Sequence, residues 1–330
     1  MPRDSEGRFL NLDGSLPQTF STVFQWAVVD RIYGRRRRSP KTAPVPFVAP
    51  DLPLIQSPPQ PGQGAQLTWL GHASWLVQLD GVSLLIDPVF SDAIGPGLRR
   101  NVPAPLSASE LPPIAAQLVT HNHRDHLDLP SLREVAAPVV AGTGHSALFA
   151  TEPLPCTELG WWESTTIGPL RVTFVPAQHW SRRGLFDGNR MLWGGFVVEG
   201  SSCAVYHAGD TAWFDGFRDI GRRFPAIDAA LLPIGAYDPP WFMERQHLNP
   251  EQAVRAFMAL GAQKFVAMHW GTFKLTDEPL DEPPQRLVAE WDRLALPLVR
   301  RIVPAQGETI RLPPHGTAPG DSMASGDDAG

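Results

Sequence analysis

The run His121-Asn122-His123-Arg124-Asp125-His126 crowds three imidazoles and a carboxylate into one loop. Alternate residues on extended backbone point to the same side, so His121 and His123 can grip one cation. Asp125 and His126 cannot easily join that ion with good tetrahedral geometry, but they can hold a neighbour a few ångströms away. Three further candidates, His179, Asp210 and His269, lie far along the chain. Together they make a nitrogen and oxygen donor set suited to zinc, with iron or manganese compatible. A carboxylate such as Asp210 can bridge two ions, whereas an imidazole in this setting would not. Two divalent cations against two ligand carboxylates keep positive charge, enough to hold a hydroxide at neutral pH and to stabilise charge on a phosphoryl or carbonyl oxygen. That chemistry serves phosphodiesters, esters, lactones and amides alike. His145 and His315 stand apart and read as core or exposed residues.

Something must bring these residues together, and four strand-like runs lead into them: Gln117–Thr120 into His121, Leu170–Val175 into His179, Ala204–Tyr206 into Asp210, and Lys264–Met268 into His269. Sheet ends deliver loops to a shared edge, where rigid strands hold side chains from distant positions. Further strands are expected at Gln66–Leu70, Ser74–Leu79, Ser83–Ile86, Val139–Ala141, Gly195–Glu199 and Ala229–Pro233. Helices are expected at Leu129–Ala136, Phe214–Phe224, Pro250–Leu260 (with Asn249 as N-cap) and Pro284–Leu294. Strands interspersed with helices predict a layered α/β architecture.

The 330 residues, 43% hydrophobic and 19% charged, can bury a large core as one or two domains. Prolines recur from Ser39 to about Gly64, predicting an extended arm with the folded body after it. The expected organisation is an N-terminal helix and arm over 1–64, the folded body over 65–312 and a disordered tail over 313–330. Phe20, Val23, Phe24, Ala27 and Val28 recur at helical spacing ahead of Arg31 and the run Arg35-Arg36-Arg37-Arg38. Two readings stay open for residues 20–38: a helix packed on the domain's flank, or an amphipathic helix making peripheral contact with an anionic membrane. Two cysteines, Cys156 and Cys203, are too few for a disulfide framework and read as inert core thiols. A net charge of −6 argues against a nucleic-acid-coating surface. No secretory signal or membrane-spanning run is evident, so the expectation is a soluble cytoplasmic protein, peripheral at the membrane if the helix docks there.

The motifs extend well beyond the first loop. Trp69-Leu70-Gly71-His72-Ala73-Ser74, Ile86-Asp87-Pro88-Val89-Phe90-Ser91, Gln178-His179-Trp180, Ala208-Gly209-Asp210-Thr211, Pro233-Ile234-Gly235-Ala236-Tyr237 and His269-Trp270-Gly271-Thr272-Phe273 accompany it. Over roughly Leu67 to Leu287 the sequence resembles the metallo-β-lactamase superfamily, in the branch of N-acyl-phosphatidylethanolamine-hydrolysing phospholipase D and its bacterial relatives. The resemblance implies a four-layer αββα sandwich with a dizinc site at its edge. It implies one zinc on His121, His123 and His179, the other on Asp125, His126 and His269, and Asp210 bridging, with Asp125 and Asp210 the carboxylates of the catalytic centre. Asp87 is implied to orient a ligand from behind, and His72 either does the same or is a turn residue. The implied activity is phosphodiester cleavage of a glycerophospholipid by a metal-bridging hydroxide, with a lactonase or other carboxylic-ester hydrolase as the alternative on the same metals. A metal-binding regulator with little turnover is a third reading.

Substrate contacts are expected from Arg124, His247, Tyr237 and Trp241. His247 matches a family histidine associated with the headgroup; its plainer reading is a helix neighbour. Arg124 stands where the phospholipase carries tyrosine, and could pair with a phosphate or be an exposed loop charge. Trp161, Trp162, Trp180, Phe242, Met243, Trp270 and Phe273 could line an acyl groove or serve as core.

Overall fold

A computed structural model describes residues 1–15, 22, 25–150, 152–184 and 186–315. The chain lays down β1 (Ala65–Gly71), β2 (Ser74–Leu79), β3 (Val82–Ile86), a small hairpin of β4 (Ala93–Gly95) and β5 (Leu98–Arg99), then β6 (Ala116–Val119), β7 (Val139–Gly142) and β8 (Cys156–Leu159). A second series follows: β9 (Ser164–Ile167), β10 (Leu170–Val175), β11 (Gly195–Glu199), β12 (Ala204–His207), β13 (Ala229–Pro233), β14 (Lys264–Met268) and β15 (Arg301–Ile302), with β16 (Thr309–Leu312) last.

Two seven-stranded sheets result, ordered β16-β1-β2-β3-β6-β7-β8 and β15-β14-β13-β12-β11-β10-β9. In the first, β16 through β3 pair antiparallel and β3 through β8 parallel. The second repeats that pattern, antiparallel from β9 to β12 and parallel from β12 to β15. Side chains alternate across each strand, so one face of every strand looks at the other sheet. Leu67, Trp69, Trp75 and Val77 of the first sheet share one core with Val172, Phe174, Phe196 and Val198 of the second.

Helices follow in chain order, α1 (Leu129–Val135), α2 (Gly216–Arg223), α3 (Pro240–Met243), α4 (Pro250–Leu260) and α5 (Glu282–Arg293), and all but the short α3 cover the outer faces. Leu132 of α1 packs with Val119 and Ala141 on the outside of the first sheet. Ile220 of α2, Val254 and Phe257 of α4 and Leu287 and Trp291 of α5 join the core on the second. The layers are therefore helix, sheet, sheet, helix, as the family resemblance implies. Asn249 caps α4 in a reciprocal box with Gln252, and Gly261 ends it at φ 71°.

Two expectations need correction, and one open choice is narrowed. The proline-rich arm is not wholly irregular: Asp51 caps a helical turn, Leu52–Ile55, and Ile55 is fully buried with Leu70, Leu76 and Leu85. Nor does packing begin after the arm, because Phe9 is fully buried in the main core. Within the basic run, Arg36 donates from Nε to Asp277 at 2.9 Å and Arg37 from Nη1 to Glu282 at 3.0 Å, while Trp26 stacks on Phe242 at 5.0 Å. Those pairings favour the flank-packed reading. Of the expected helix, Phe20, Val23 and Phe24 lie outside the described residues, as do residues 316–330 of the expected tail. His315, before them, donates its backbone N–H to Ser202 at 2.8 Å. Among the described residues no helix is long and apolar enough to cross a membrane. Burial pushes the Cys156 thiol up to about 11 and raises Cys203 as well, so neither is a ready thiolate.

Candidate metal centre

Each candidate ligand leaves the end of a strand. The His121–His126 loop follows β6, His179 follows β10, Asp210 follows β12, and His269 comes directly after β14. His72 occupies the turn between β1 and β2, and Asp87 follows β3. Three of these turns hold non-glycine residues in left-handed backbone: His72 at φ 54°, Asp87 at 46° and His269 at 62°. Such conformations cost about 1–3 kcal/mol each and persist where surrounding contacts dictate them. Here the contacts are visible: the His72 N–H donates to Thr272 Oγ1 at 2.7 Å, and the His269 N–H donates to the His72 carbonyl at 2.9 Å.

Two clusters of donor atoms converge. In the first, His123 Nδ1 lies 2.8 Å from His121 Nε2 and 3.2 Å from His179 Nε2, and Asp210 Oδ2 lies 3.9 and 3.8 Å from the same two nitrogens. In the second, Asp125 Oδ2 lies 3.6 Å from His126 Nε2 and 3.7 Å from His269 Nε2. Asp210 reaches this cluster too, with Oδ2 at 3.2 Å from His126 Nε2 and Oδ1 at 3.0 Å from His269 Nε2. Ligand atoms around a tetrahedral zinc stand roughly 3.3–3.6 Å apart, as bonds of about 2.0–2.2 Å require. The separations straddle that value, and Asp210 faces both clusters, so the residues fit two cations sharing one carboxylate.

The partners behind the ligands fix which nitrogens are free. Asp87 Oδ1 accepts from the Thr120 N–H at 2.8 Å, and its Oδ2 accepts from Thr120 Oγ1 at 2.6 Å and from His126 Nδ1 at 2.7 Å. Because the Thr120 hydroxyl donates to Asp87, its oxygen accepts from His121 Nδ1 at 3.1 Å. His179 Nδ1 donates to the Gln246 carbonyl at 2.8 Å. Each of these bonds places a proton on Nδ1 and leaves Nε2 facing the cluster. His126 Nε2, His269 Nε2 and Asp210 Oδ1 are buried with no hydrogen-bonding partner. Unpaired polar atoms in the interior are costly, and a cation would satisfy all three.

Charge gives the same answer. Burial pushes His121 and His179 well below their ordinary value and His123 to about 4, leaving neutral ligands. Burial also opposes charge on His126 and His269, but the surrounding carboxylates, Asp210 first, prevail and hold His126 well above its ordinary value and His269 at about 9. Burial would raise Asp125 and Asp210 too, yet His126 and its neighbours keep both well below the carboxylate range. Two ionised carboxylates thus face neutral His121, His123 and His179, an arrangement that stabilises positive charge between them.

The other predicted residues fall into place unequally. His72 donates from Nε2 to Asp125 Oδ2 at 2.9 Å and lies 3.9 Å from the His269 ring. It is more than a turn residue, and the same atom is close enough to belong to the second cluster. His247 Nδ1 is 3.8 Å from Asp210 Oδ2, grouped with Asp210 and His269. Arg124 is exposed and makes no hydrogen bond or ion pair among the described residues. Tyr237 is 4% exposed, its hydroxyl donates to Glu282 at 2.8 Å and Arg286 covers its ring, so that hydroxyl is already engaged. Trp241 is exposed beside Phe242. Of the aromatics, Trp161 and Trp270 are core members, whereas Trp180 packs edge-on against His123 at 4.5 Å.

Thr120, Gln246 and Asn11 also serve the site, and motif spacing pointed to none of them. Thr120 carried a weak signal as the last residue of an expected strand. Gln246 acts through its carbonyl, which no side-chain pattern betrays, and Asn11 is 168 residues from the His179 N–H that it accepts at 3.1 Å.

The family model described as the β-lactamase superfamily domain matches residues 83–270. An uncharacterised protein of Mycobacterium tuberculosis is 33% identical over 333 residues, covering 95% of this chain and 87% of its own length. N-acyl-phosphatidylethanolamine-hydrolyzing phospholipase D 1 of Caenorhabditis elegans is 34% identical over 245 residues, covering 68% of this chain and 69% of its own. Among solved structures, the metallo hydrolase Igni18 of Ignicoccus hospitalis shares the fold with a TM-score of 0.58 at 24% identity, covering 75% of this chain and 98% of that one. With its paired sheets, strand-end ligands and sequence kinship in agreement, the chain belongs to the metallo-β-lactamase superfamily and is one of its metal-dependent hydrolases.

Proposed function

We propose that this protein is a dinuclear zinc phosphodiesterase of the phospholipase D type, acting on N-acyl glycerophospholipids. The observation that carries the reading is the pair of donor clusters sharing Asp210. His121, His123 and His179 would hold one ion, Asp125, His126 and His269 the other. Bound there, two zinc ions supply a water of lowered pKa and a positive clamp for an oxyanion.

The chain's own groups do the rest. Asp125 and Asp210, kept ionised by flanking imidazoles, place acceptor oxygens where an entering water sheds its proton. His72 holds Asp125 through Oδ2. His247, pushed to about 4 by burial, is a neutral ring whose buried Nδ1 has no hydrogen-bonding partner and can meet a substrate oxygen. Arg124, exposed between two ligands and unpaired among the described residues, is available to a phosphate oxygen. Water oxygen joins phosphorus, the bond from phosphorus to the ethanolamine oxygen breaks, and the departing alcohol takes a proton. Phosphatidic acid and an N-acylated amino alcohol remain. The relative from Caenorhabditis elegans is named for hydrolysis of that lipid class, which supports the substrate.

The test is product identification by mass spectrometry after purified protein meets N-acyl-phosphatidylethanolamine or, separately, an acyl lactone. Phosphatidic acid should form, about two equivalents of zinc should copurify, and Asp210→Asn should lower turnover by more than about 100-fold. Cleavage of the lactone alone would overturn the phosphodiesterase reading, and full turnover in metal-stripped protein would overturn the metal mechanism.

A further inference from the structure

Residues 9–15 form a strap across the loop that carries His179, and the strap reaches the site from outside the stretch that the family model matches. Phe9 anchors it: its side chain is fully buried and its N–H donates to the Asn189 carbonyl at 2.8 Å. Two residues on, Asn11 is 1% exposed. Its Oδ1 accepts from the His179 backbone N–H and from Trp193 Nε1, both at 3.1 Å. Gln178, the preceding residue, donates from Nε2 to Asp13 Oδ2 at 3.0 Å and to Ser15 Oγ at 3.1 Å.

The other side of the same loop is tied down as well. The Gln178 N–H donates to Thr211 Oγ1 at 3.0 Å, its carbonyl accepts from the Ala212 N–H at 2.8 Å, and His179 Nδ1 is held by Gln246. Thr211 and Ala212 directly follow Asp210. The His179 ring is therefore oriented from the body of the domain, but its backbone is fixed by the strap. Asn11 is suited to this because one carbonyl oxygen with two lone pairs can satisfy two buried donors without introducing a charge.

We propose that Asn11 is a positioning residue for the metal ligand His179, and that the N-terminal strap is part of the machinery that sets the affinity of the cluster of His121, His123 and His179. This rests on the metal reading above. Groups that orient a ligand from behind typically govern about 10–100-fold in metal affinity. A substitution that only loosened the fold would lower stability without singling out one of two bound ions.

The experiment titrates full-length, metal-stripped protein with zinc against a chromophoric chelator, alongside thermal unfolding of the same samples. Wild type should bind two ions. In Asn11→Ala one of them should weaken by about 10–100-fold while the other stays within a few-fold. Trp193→Phe removes the second donor to Asn11 and leaves the His179 bond, so it should lower stability yet keep both affinities. Asn11→Asp retains an acceptor oxygen and should recover much of the lost affinity, and it also serves if the alanine variant fails to fold. Wild-type affinity for both ions in Asn11→Ala, or equal weakening of both in Asn11→Ala and Trp193→Phe, would overturn the proposal. A wild-type protein that takes up no zinc would instead overturn the metal reading on which it rests.

Discussion

Asp87 shows how much of this site is decided one residue behind the ligands. It is fully buried and accepts from the Thr120 N–H, the Thr120 hydroxyl and His126 Nδ1. Through the threonine hydroxyl it also dictates the tautomer of His121, so a single carboxylate sets one proposed ligand in each cluster. Asp87→Asn keeps an acceptor for the Thr120 N–H but can turn an amide N–H toward His126 Nδ1, where two donors would face each other. Zinc affinity should fall by about 10–100-fold, read by chelator competition. Unchanged affinity would show that His126 does not depend on Asp87 for its orientation. The seven proposed ligands were legible in the sequence because each sits at, or just beyond, the end of a strand-like run. Asp87 entered through a motif match. Asn11 and the Gln246 carbonyl were not legible, since a contact spanning most of the chain leaves no local periodicity and a backbone oxygen leaves no residue signature.

At the scale of elements, the helices behind the second sheet hold the strands that end in Asp210 and His269. Helix α2 crosses α4 at Gly221, where an added Cβ would stand 2.3 Å from the Leu260 carbonyl oxygen, a backbone atom that cannot swing aside. Two effects compete in Gly221→Ala. Helix propensity alone favours alanine by about 1 kcal/mol. The clash forces the helices apart, and overpacking of this kind costs about 1–3 kcal/mol. Because the obstacle is backbone, the clash should win, for a net loss on the order of 1 kcal/mol in urea unfolding; a stabilised variant would show that the crossing can relax. Long buried strands such as β2, β10 and β13 were legible from apolar runs between turn signals. The unpredicted ones are short or edge strands: the small β4–β5 hairpin, β9, an alternately exposed Ser-Thr-Thr-Ile, β15 with two residues, and β8 and β16 at the rims of the first sheet. They are strands because a neighbour offers a hydrogen-bonding edge, which is tertiary information.

For the whole molecule, the chain ends lock the body. β16 returns from the C-terminal side to pair with β1 and completes the first sheet, while Phe9 is buried in the core shared by both sheets. Stability should therefore respond as a unit to the protonation of groups far from the metals. His145 is one such group, fully buried after β7 with Nδ1 donating to the Gly142 carbonyl at 2.7 Å. Burial lowers its folded value to about 4, whereas the unfolded chain titrates near 6.5. Between those values the unfolded state binds the extra proton, so the stability held above pH about 6.5 drains away as the pH falls toward 4. A shift of this size corresponds to roughly 3 kcal/mol at pH about 4. His145→Asn, whose amide can still donate to Gly142, removes the titration and should lose about that much less stability than wild type between pH 7 and 4, measured by urea unfolding of metal-stripped protein. Parallel stability curves for the two proteins would mean that His145 gains its proton without opening the fold, and that acid sensitivity resides in the histidines of the metal centre.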